Sequence, residues 1–304
     1  MLDLYDIVCQ ALSNELEERL KEKFDSVTVK QEKVLQNNDV YMDALKVMIP
    51  EWKMEPRVYL EPLYEQLLAG GTVENLITQV LNTVNRDLAM MNEYKQVITK
   101  GNVEERIIYR LISKKSNKEF LKQVPWVPFL DMALVFWIYL GEEEERELCR
   151  LIKYENLKGI GLEKDQLYEL ARKNTPKLRP FVFSSIYDTL GYNVPAEIET
   201  GAQMYMLSSG DYCAGATCLA YDGVLKTISY QINPSGTDLL IIPSSTDEVL
   251  IVADEHDASR YLLFHQMVEY TNRTEVPANM VLSNNLYLYS SEKDEIRLWK
   301  QEER

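Results

Sequence analysis

The sequence predicts an α+β protein with a helical N-terminal lobe that contains one β-hairpin, followed by two β-α-β-β-α units. Three observations indicate this class. Apolar residues near the N-terminus recur at every fourth position, segments with the alternation of strands concentrate after residue 104, and the order of strands and helices in the middle third recurs in the last third. At roughly 150 residues per domain, 304 residues with 46% apolar side chains suffice for more than one core. We therefore expect a lobe at residues 1–100 and α+β units at 101–195 and 196–304.

The first hundred residues contain an amphipathic helix, a hairpin and two further helices. The first helix is predicted by five apolar residues at four-residue spacing, Leu4, Val8, Leu12, Leu16 and Leu20. Alternating apolar residues before and after the turn sequence Asn37-Asn38-Asp39 indicate the hairpin. A helical stripe over residues 58–68 ends at Gly70-Gly71, and Thr72 can cap the helix that follows.

The unit at residues 101–195 is predicted from three strand-like and two helical segments. The strands are at 106–112, 130–140 and 147–154, and the helices are at 117–124 and 163–173. Asn174-Thr175-Pro176 is expected to end the second helix, because proline disfavours helical dihedral angles in the residue before it. The strand at 130–140 is expected to be covered on both faces, with Leu134, Phe136 and Ile138 on one and Ala133, Val135 and Trp137 on the other.

The unit at residues 196–304 repeats this order and then adds two short strands. Its predicted strands are at 203–207, 217–221, 238–242 and 248–253, its helices are at 223–231 and 255–270, and the closing strands are at 286–289 and 296–299. The recurrence suggests two related units, and two unrelated α+β layers are the alternative.

The charge and hydropathy of the chain restrict its partners. With 33 Lys and Arg against 48 Asp and Glu, the net charge is −15 and no run of five basic residues occurs, so nucleic acid is not an expected partner. The most apolar stretch, residues 132–140, is less than half as long as the ~20 residues of a membrane-spanning helix. Asp3 and Asp6 occupy the place of the basic residues in a secretory signal. We expect a cytoplasmic protein without a membrane segment.

The histidines and the acidic segments predict neither a metal site nor a cofactor site. His256 and His265 are nine positions apart on the helix predicted at 255–270, and at about 100° per residue they point to opposite faces. The acids around His256 are typical of a helix N-terminus, whose dipole favours negative charge. Residues 142–147 are interpreted as a solvated hairpin tip. We expect no cofactor.

The loop at residues 243–248 is the leading candidate for a binding site. Ser244, Ser245, Asp247 and Glu248 place hydroxyls beside carboxylates between two predicted strands. A hydrolase could use such groups, but turns are made of the same residue types, and no glycine-flanked nucleophile occurs here. We predict no catalytic residue, interpret the loop mainly as a turn, and keep its four polar side chains as candidate binding residues.

Six segments distributed over most of the chain carry a family resemblance: YLEPLYEQ at 59–66, VPWVPFLDMALVFWIYL at 124–140, ELARKNTPKL at 169–178, MYMLSS at 204–209, IIPSSTDEVLIV at 241–252 and LSNNLYLYS at 282–290. In these segments the chain resembles an uncharacterised bacterial family, a domain of unknown function common in Gram-positive gut-type anaerobes. It implies a cytoplasmic bacterial protein without an established activity, and it carries no catalytic residue.

Because no catalytic constellation is recognisable, the sequence favours a non-enzymatic binding or regulatory protein. Its acidic surface would bind a protein or a small cationic ligand. The alternative is a hydrolase of an unrecognised type that uses Ser244, Ser245, Asp247 and Glu248. A deep pocket at this loop would favour the hydrolase, and a filled surface would favour the binding protein.

Overall fold

The computed structural model describes residues 4–50, 55–99, 102–143, 146–189, 191, 203–210 and 212–300. Helices and antiparallel sheets in these ranges confirm the predicted α+β class. The chain forms two compact units, one of Met1–Gln36 with Val40–Lys100 and the other of Asn37–Asp39 with Gly101–Arg304. Among the described helices, none has the length and apolar character needed to cross a membrane.

The first unit combines three helices with a three-stranded antiparallel sheet. Its elements are α1 (Leu4–Lys21), β1 (Thr28–Leu35), β2 (Tyr41–Met48), β3 (Arg57–Tyr59), α2 (Glu61–Leu68) and α3 (Val73–Thr99), with strand order β1-β2-β3. The predicted α1 stripe is buried at Leu12, Leu16 and Leu20, whereas Leu4 is exposed. Thr72 accepts a hydrogen bond from the Asn75 amide at 3.3 Å, which confirms the predicted cap of α3.

Residues 57–59 form a strand, so the helix predicted over 58–68 is wrong at its start. Val58 is buried and pairs with Leu45 of β2. Helix α2 begins at Glu61, with Pro62 in its first turn, where the missing amide hydrogen costs nothing. The apolar residues at helical spacing therefore include the strand residue Val58 together with the apolar stripe of α2.

A four-stranded antiparallel sheet opens the second unit. It contains β4 (Ile107–Ser113), β5 (Trp126–Phe129), β6 (Met132–Glu143) and β7 (Arg146–Leu151), and β6 pairs with the other three. The two-faced burial predicted for β6 is confirmed at five positions, Ala133, Leu134, Val135, Phe136 and Ile138. Trp137 is half-buried.

A six-stranded antiparallel sheet follows in the same unit. Its strands are β8 (Phe181–Ser185), β9 (Met204–Ser209), β10 (Leu239–Pro243), β11 (Glu248–Ala253), β12 (Tyr287–Ser290) and β13 (Glu295–Leu298), in the order β13-β12-β10-β11-β9-β8. The expected boundary at residues 195–196 lies between β8 and β9, which pair with each other. Both strands belong to the second unit.

The two sheets share one pattern of strand order. The first contains β4-β6-β5 and the second contains β9-β11-β10, so in each the first strand pairs with the third and the third with the second. All four of these pairings are antiparallel. The two sheets are therefore similar in strand pairing. Their element order differs, because the helix predicted at 117–124 is only the 3-10 helix Phe120–Lys122.

The α-helices in the described part of the second unit are α4 (Tyr154–Ile160), α5 (Lys164–Leu178), α6 (Ile186–Thr189), α7 (Val224–Ile232) and α8 (Ala258–Thr274). The predicted end of α5 at 174–176 is wrong, because the helix continues through Pro176. Thr175 is fully buried, donates to the Ala171 carbonyl at 2.6 Å and accepts from the Tyr109 amide at 3.1 Å. These contacts hold the last turn although proline removes one helical hydrogen bond.

Residues 217–221 do not form the predicted strand. Gly215–Ala220 is a 3-10 helix, and the Thr217 hydroxyl accepts a hydrogen bond from the Leu111 amide at 3.0 Å. Gly215 is needed there, because a Cβ atom would collide with Ser208 and with the backbone of Asp247. Threonine hydroxyls from α5 and from this 3-10 helix thus satisfy two amides on the outer edge of β4.

The turn residues Asn37–Asp39 belong to the second unit and are held by its loops. Asn117, which is fully buried, donates to the side-chain oxygens of Asn37 and Asn38 at 2.9 Å each and accepts from the Asn38 amide at 2.7 Å. The Asp39 carboxylate accepts hydrogen bonds from the backbone amides of Glu119 and Phe120. The Asn37 side chain donates to the carbonyl of Asn279, and the Asn38 side chain donates to the carbonyls of Ala278 and Val281.

Candidate functional site

A cavity of about 600 Å³ opens in the second unit between β6, β7, the end of α5 and the loop after β9. Its lining residues are Tyr139, Glu142, Glu147, Leu178, Arg179, Pro180, Gly210 and Tyr212. Small-molecule sites typically have volumes of roughly 300–1,000 Å³. The cavity is therefore of a size that can enclose a small ligand.

A β-bulge in β6 orients two of the lining side chains. The pairing with β7 shifts between Tyr139 and Gly141, and the φ of +133° at Gly141 is accessible to glycine without strain. Beyond the bulge, Glu142 accepts a hydrogen bond from the Tyr139 hydroxyl at 3.1 Å. Burial, together with this carboxylate, raises the pKa of Tyr139 to about 12, so the phenol remains a hydrogen-bond donor at neutral pH.

Glu147 lies directly opposite Glu142 on the neighbouring strand. The two residues are Cα partners in the β6–β7 register, and directly opposed residues have Cβ atoms about 5 Å apart. Glu142 is exposed, whereas the side chain of Glu147 is only 2% exposed. Like charges at this spacing repel each other, so the buried carboxylate requires compensating cations.

Two arginines from distant segments supply that compensation. Arg110 of β4 contacts Glu147 Oε2 at 2.5 Å, and Arg179, the residue after α5, contacts the same oxygen. Arg179 is 4% exposed and also donates to Ser209 Oγ at 3.0 Å and to the Cys213 carbonyl. Its guanidinium therefore links β7, β9 and the loop after β9 through hydrogen bonds and an ion pair.

Three buried polar atoms next to this ion pair lack a hydrogen-bond partner within the described ranges. They are Arg110 Nε, Trp137 Nε1 and Glu147 Oε1. The Arg110 guanidinium lies 4.6 Å from the centre of the Trp137 ring, so the two nitrogens belong to one cluster. We call Arg110, Trp137, Glu147 and Arg179 the ion-pair cluster. An unsatisfied buried group costs roughly 1–3 kcal/mol. Of the four cluster residues, Glu147 and Arg179 line the cavity.

The structure corrects the interpretation of residues 142–147 as a solvated hairpin tip. Glu142 is exposed, but Glu147 is buried because β7 begins at Arg146 and carries Glu147 beneath the two arginines. Arg110 and Arg179 are 37 and 32 positions away from Glu147, beyond any local pattern. The sequence signal that was missed is a lone charge in the otherwise apolar strand Ile-Ile-Tyr-Arg-Leu-Ile.

The predicted serine loop is held by its own hydrogen bonds. Ser245 is 6% exposed, donates to Glu248 at 3.0 Å and accepts from the Asp247 amide at 3.0 Å. The Asp247 carboxylate accepts from the Ala214 amide at 2.9 Å, and Ser244 is half-buried. Three of the four candidates thus lie in one local network, and the four do not contribute to the lining of the 600 Å³ cavity.

Helix α8 begins after His256 and not before it, which corrects the prediction that both histidines lie on one helix. Asp257 is the N-cap, and its carboxylate accepts from the Ser259 amide at 2.8 Å. The prediction that acids at this point cap the helix is confirmed.

The two imidazoles have local partners. His256 lies 3.4 Å from Asp254 and 3.5 Å from Asp238, and the His265 ring is 5.6 Å from the ring of Trp299. Across the part of the chain that the structure describes, no cluster of three or more His, Cys, Asp or Glu side chains is suited to a metal ion.

The fold and the site define an α+β protein of two compact units. The second unit contains a pocket that borders the buried ion pair of Glu147 and Arg179. The chain belongs to a family of unknown function, DUF5688, whose model matches residues 5–291. The resemblance to a domain of unknown function is thereby confirmed. No curated protein and no solved structure shows significant similarity to the chain.

Proposed function

We propose that the protein is a non-enzymatic binding or regulatory protein whose small ligand occupies the cavity beside Glu147. The proposal rests on the partners of the two Glu147 carboxylate oxygens. One of its oxygens is shared by two arginines, and the other has no hydrogen-bond partner among the described residues. A buried ionisable group in a cavity wall is a functional-site candidate, because such a placement is costly without a ligand or partner.

The surroundings of Glu147 favour binding over catalysis. A catalytic base or nucleophile must approach the reacting atom to within about 3 Å. Glu147 Oε2 is covered by two guanidinium groups, and Oε1 is buried. The loop at Ser244 and Ser245 also favours a structural role, since the Ser245 hydroxyl donates to Glu248 in place of an imidazole.

A hydrolase remains the alternative, and one observation favours it. Glu142 and Glu147 occupy opposed strand positions and line one cavity, and glycoside hydrolases act through a pair of carboxylates. The Ser244, Ser245, Asp247 and Glu248 loop of the original hydrolase hypothesis lies outside this cavity lining.

We place the protein in the cytoplasm and expect a partner other than nucleic acid. No disulfide joins the four cysteines, all of which lie in the described ranges, and this fits a reducing compartment. The net charge of −15 opposes contact with a phosphate backbone.

The test is native mass spectrometry of the full-length protein after incubation with a small-molecule extract. We expect the wild-type protein to retain a compound that Tyr212→Ala, which removes an exposed ring from the cavity, retains about tenfold less. Glu155→Gln on exposed α4 is the matched control and should retain the compound fully. Equal retention by Tyr212→Ala and wild type would place the site elsewhere, and conversion of the compound with time would establish the hydrolase.

A further inference from the structure

We infer that the ligand of this cavity is an organic ammonium ion, that is, a positively charged amine with an apolar substituent. This inference rests on the proposed function and specifies its ligand. It depends on three properties of the cavity, namely which charged groups in its lining a ligand can reach, the aromatic and apolar side chains beside them, and the excess of negative charge nearby.

The charged groups in the lining differ in whether a ligand can reach them. Glu142 is exposed, and its carboxylate accepts a hydrogen bond from the Tyr139 hydroxyl at 3.1 Å. Arg179 is 4% exposed, and its guanidinium already contacts the buried Glu147 and the loop after β9. Within the described lining, a ligand therefore reaches one negative charge and no positive charge. A cation gains a charge-assisted contact there, and an anion does not.

Two tyrosine rings line the same cavity as Glu142. Tyr139 is half-buried, and Tyr212 is 50% exposed, so its ring is available to a ligand. The faces of aromatic rings attract cations, and ammonium ligands are recognised in this way. Burial, together with Glu142, raises the pKa of Tyr139 to about 12, so its hydroxyl stays neutral at pH 7. A carboxylate and aromatic faces are the two groups that an organic ammonium ion requires.

The rest of the lining favours an organic cation over a metal ion. Leu178 and Pro180 add apolar surface where α5 ends, and the volume of about 600 Å³ is far larger than a single ion. A calcium ion takes roughly six to eight oxygen ligands. Among the described lining residues, Glu142 is the one exposed carboxylate. An alkyl or aryl substituent can instead pack on the apolar side chains while its ammonium group pairs with Glu142.

The sequence that follows Glu142 adds negative charge near the cavity. Residues 142–146 contain four glutamates and one arginine. Because consecutive Cα atoms are 3.8 Å apart, the Cα atoms of this segment lie within about 15 Å of that of Glu142. The net charge of −15 acts in the same direction. Such a field raises the local concentration of cations, and salt screens it, so the affinity for the ligand should depend on ionic strength.

The experiment compares ammonium ions with neutral compounds of the same shape. The pairs are choline with 3,3-dimethylbutan-1-ol, hexylamine with hexan-1-ol, and 2-phenylethylamine with 2-phenylethanol. Binding to the full-length protein is measured by calorimetry and by ligand-observed nuclear magnetic resonance. We expect at least one ammonium ion to bind at least about tenfold more tightly than its neutral counterpart, and its affinity to fall as sodium chloride is added.

Variants then assign the binding to the cavity. Glu142→Gln, at an exposed position, should weaken the ammonium ion by about tenfold and leave its neutral counterpart unchanged. Tyr212→Leu keeps an apolar side chain but removes the ring, and it should weaken the ammonium ion by about threefold. Glu155→Gln on exposed α4 should leave both affinities unchanged.

Two results would overturn the inference. One is equal or tighter binding of the neutral compounds, and the other is an ammonium affinity that Glu142→Gln leaves unchanged. Failure of all three ammonium ions would also overturn it, and the proposed function would stand only if a compound from the extract is retained in a manner sensitive to Tyr212→Ala. Failure of both experiments would reject the site altogether.

Discussion

Glu147 derives its properties from residues that are distant in the chain. A carboxylate with 2% exposure would be unstable by itself, because burial of an unpaired charge is far more costly than burial of a paired one. Arg110 and Arg179 make the burial tolerable by sharing one of its oxygens. Glu142, directly across the strand pair, needs no such support because it is exposed. Glu142 and Glu147 therefore contribute differently to the stability of the fold.

Glu147→Gln should destabilise the protein by about 3 kcal/mol, because it leaves two buried guanidinium groups without a counter-charge. Glu142→Gln is the matched control and should change the free energy of unfolding by less than about 0.5 kcal/mol, as is usual for exposed substitutions. Urea denaturation at pH 7 measures both. Equal effects at the two positions would contradict the account of the ion-pair cluster.

Asp87 in α3 makes the first unit sensitive to pH. Burial raises the pKa of its carboxyl from 3.8 to about 6, against the lowering effects of Arg86 and of the Arg57 amide. The folded state thus prefers the protonated acid. The resulting penalty on stability is absent below about pH 4, develops as the pH rises to about 6, and is complete above that value.

Asp87→Asn should remove this penalty and keep an acceptor for the Arg57 amide. A shift of about two pKa units corresponds to about 3 kcal/mol, which partial solvent contact reduces to about 1–2 kcal/mol of added stability at pH 8. No gain is expected at pH 4. Thermal unfolding of the variant between pH 4 and 8 measures the difference, with Asp25→Asn at an exposed site as the control. A gain that is independent of pH would contradict the assignment to Asp87.

At the scale of the elements, β4 shows how an unpaired strand edge is protected. One edge pairs with β6, and on the other edge the amides of Tyr109 and Leu111 donate to Thr175 and Thr217. Both threonines are fully buried. The two hydroxyls thus accept the hydrogen bonds that a neighbouring strand would otherwise accept, and they prevent association through this edge.

Thr175→Val should cost about 1–3 kcal/mol, because the isosteric side chain leaves the buried Tyr109 amide unsatisfied. Thr227→Val on α7 is a matched control, since Thr227 makes the same bond to the carbonyl four residues earlier but is exposed. We expect the control to change stability by less than about 0.5 kcal/mol. Chemical denaturation of both variants tests this, and an unchanged Thr175→Val protein would argue against the role of the hydroxyl.

The elements themselves were predictable where local periodicity reflects burial. Leu12, Leu16 and Leu20 marked α1, and the apolar run through Phe136 marked β6. The predictions at 174–176 and 217–221 were wrong because long-range contacts decide these segments, Thr175 through β4 and Gly215 through its close approach to Ser208. The ion-pair cluster was missed for the same reason. Its four members become neighbours only when β4, β6, β7 and the end of α5 assemble.

At the scale of the whole molecule, the two units are not simple consecutive segments. The chain leaves the first unit for Asn37–Asp39, returns at Val40, and leaves again after Lys100. A cut at the expected boundary near residue 100 would therefore remove three residues from the second unit. Asn117, which is fully buried, would lose its contacts with Asn37 and Asn38.

A fragment of residues 101–304 should fold less stably than the same region in the full chain. A loss of about 2 kcal/mol corresponds to a melting temperature about 4–8 °C lower for a unit of this size. Asn117→Ala in the full chain should reproduce most of that decrease. Calorimetry of the three proteins provides the measurement, and equal melting temperatures for fragment and full chain would support independent units divided at residue 100.

The Asn37–Asp39 segment also limits how early the chain can complete its native contacts during synthesis. Asn38 donates to the carbonyl of Val281, which is 243 positions later in the chain. At a translation rate of about 5–20 residues per second, roughly 10–50 s pass between the emergence of the two partners from the ribosome. Throughout that interval the hairpin turn has no native partner in the 278–281 loop, so a nascent chain would depend on chaperones or on its high charge to remain unaggregated.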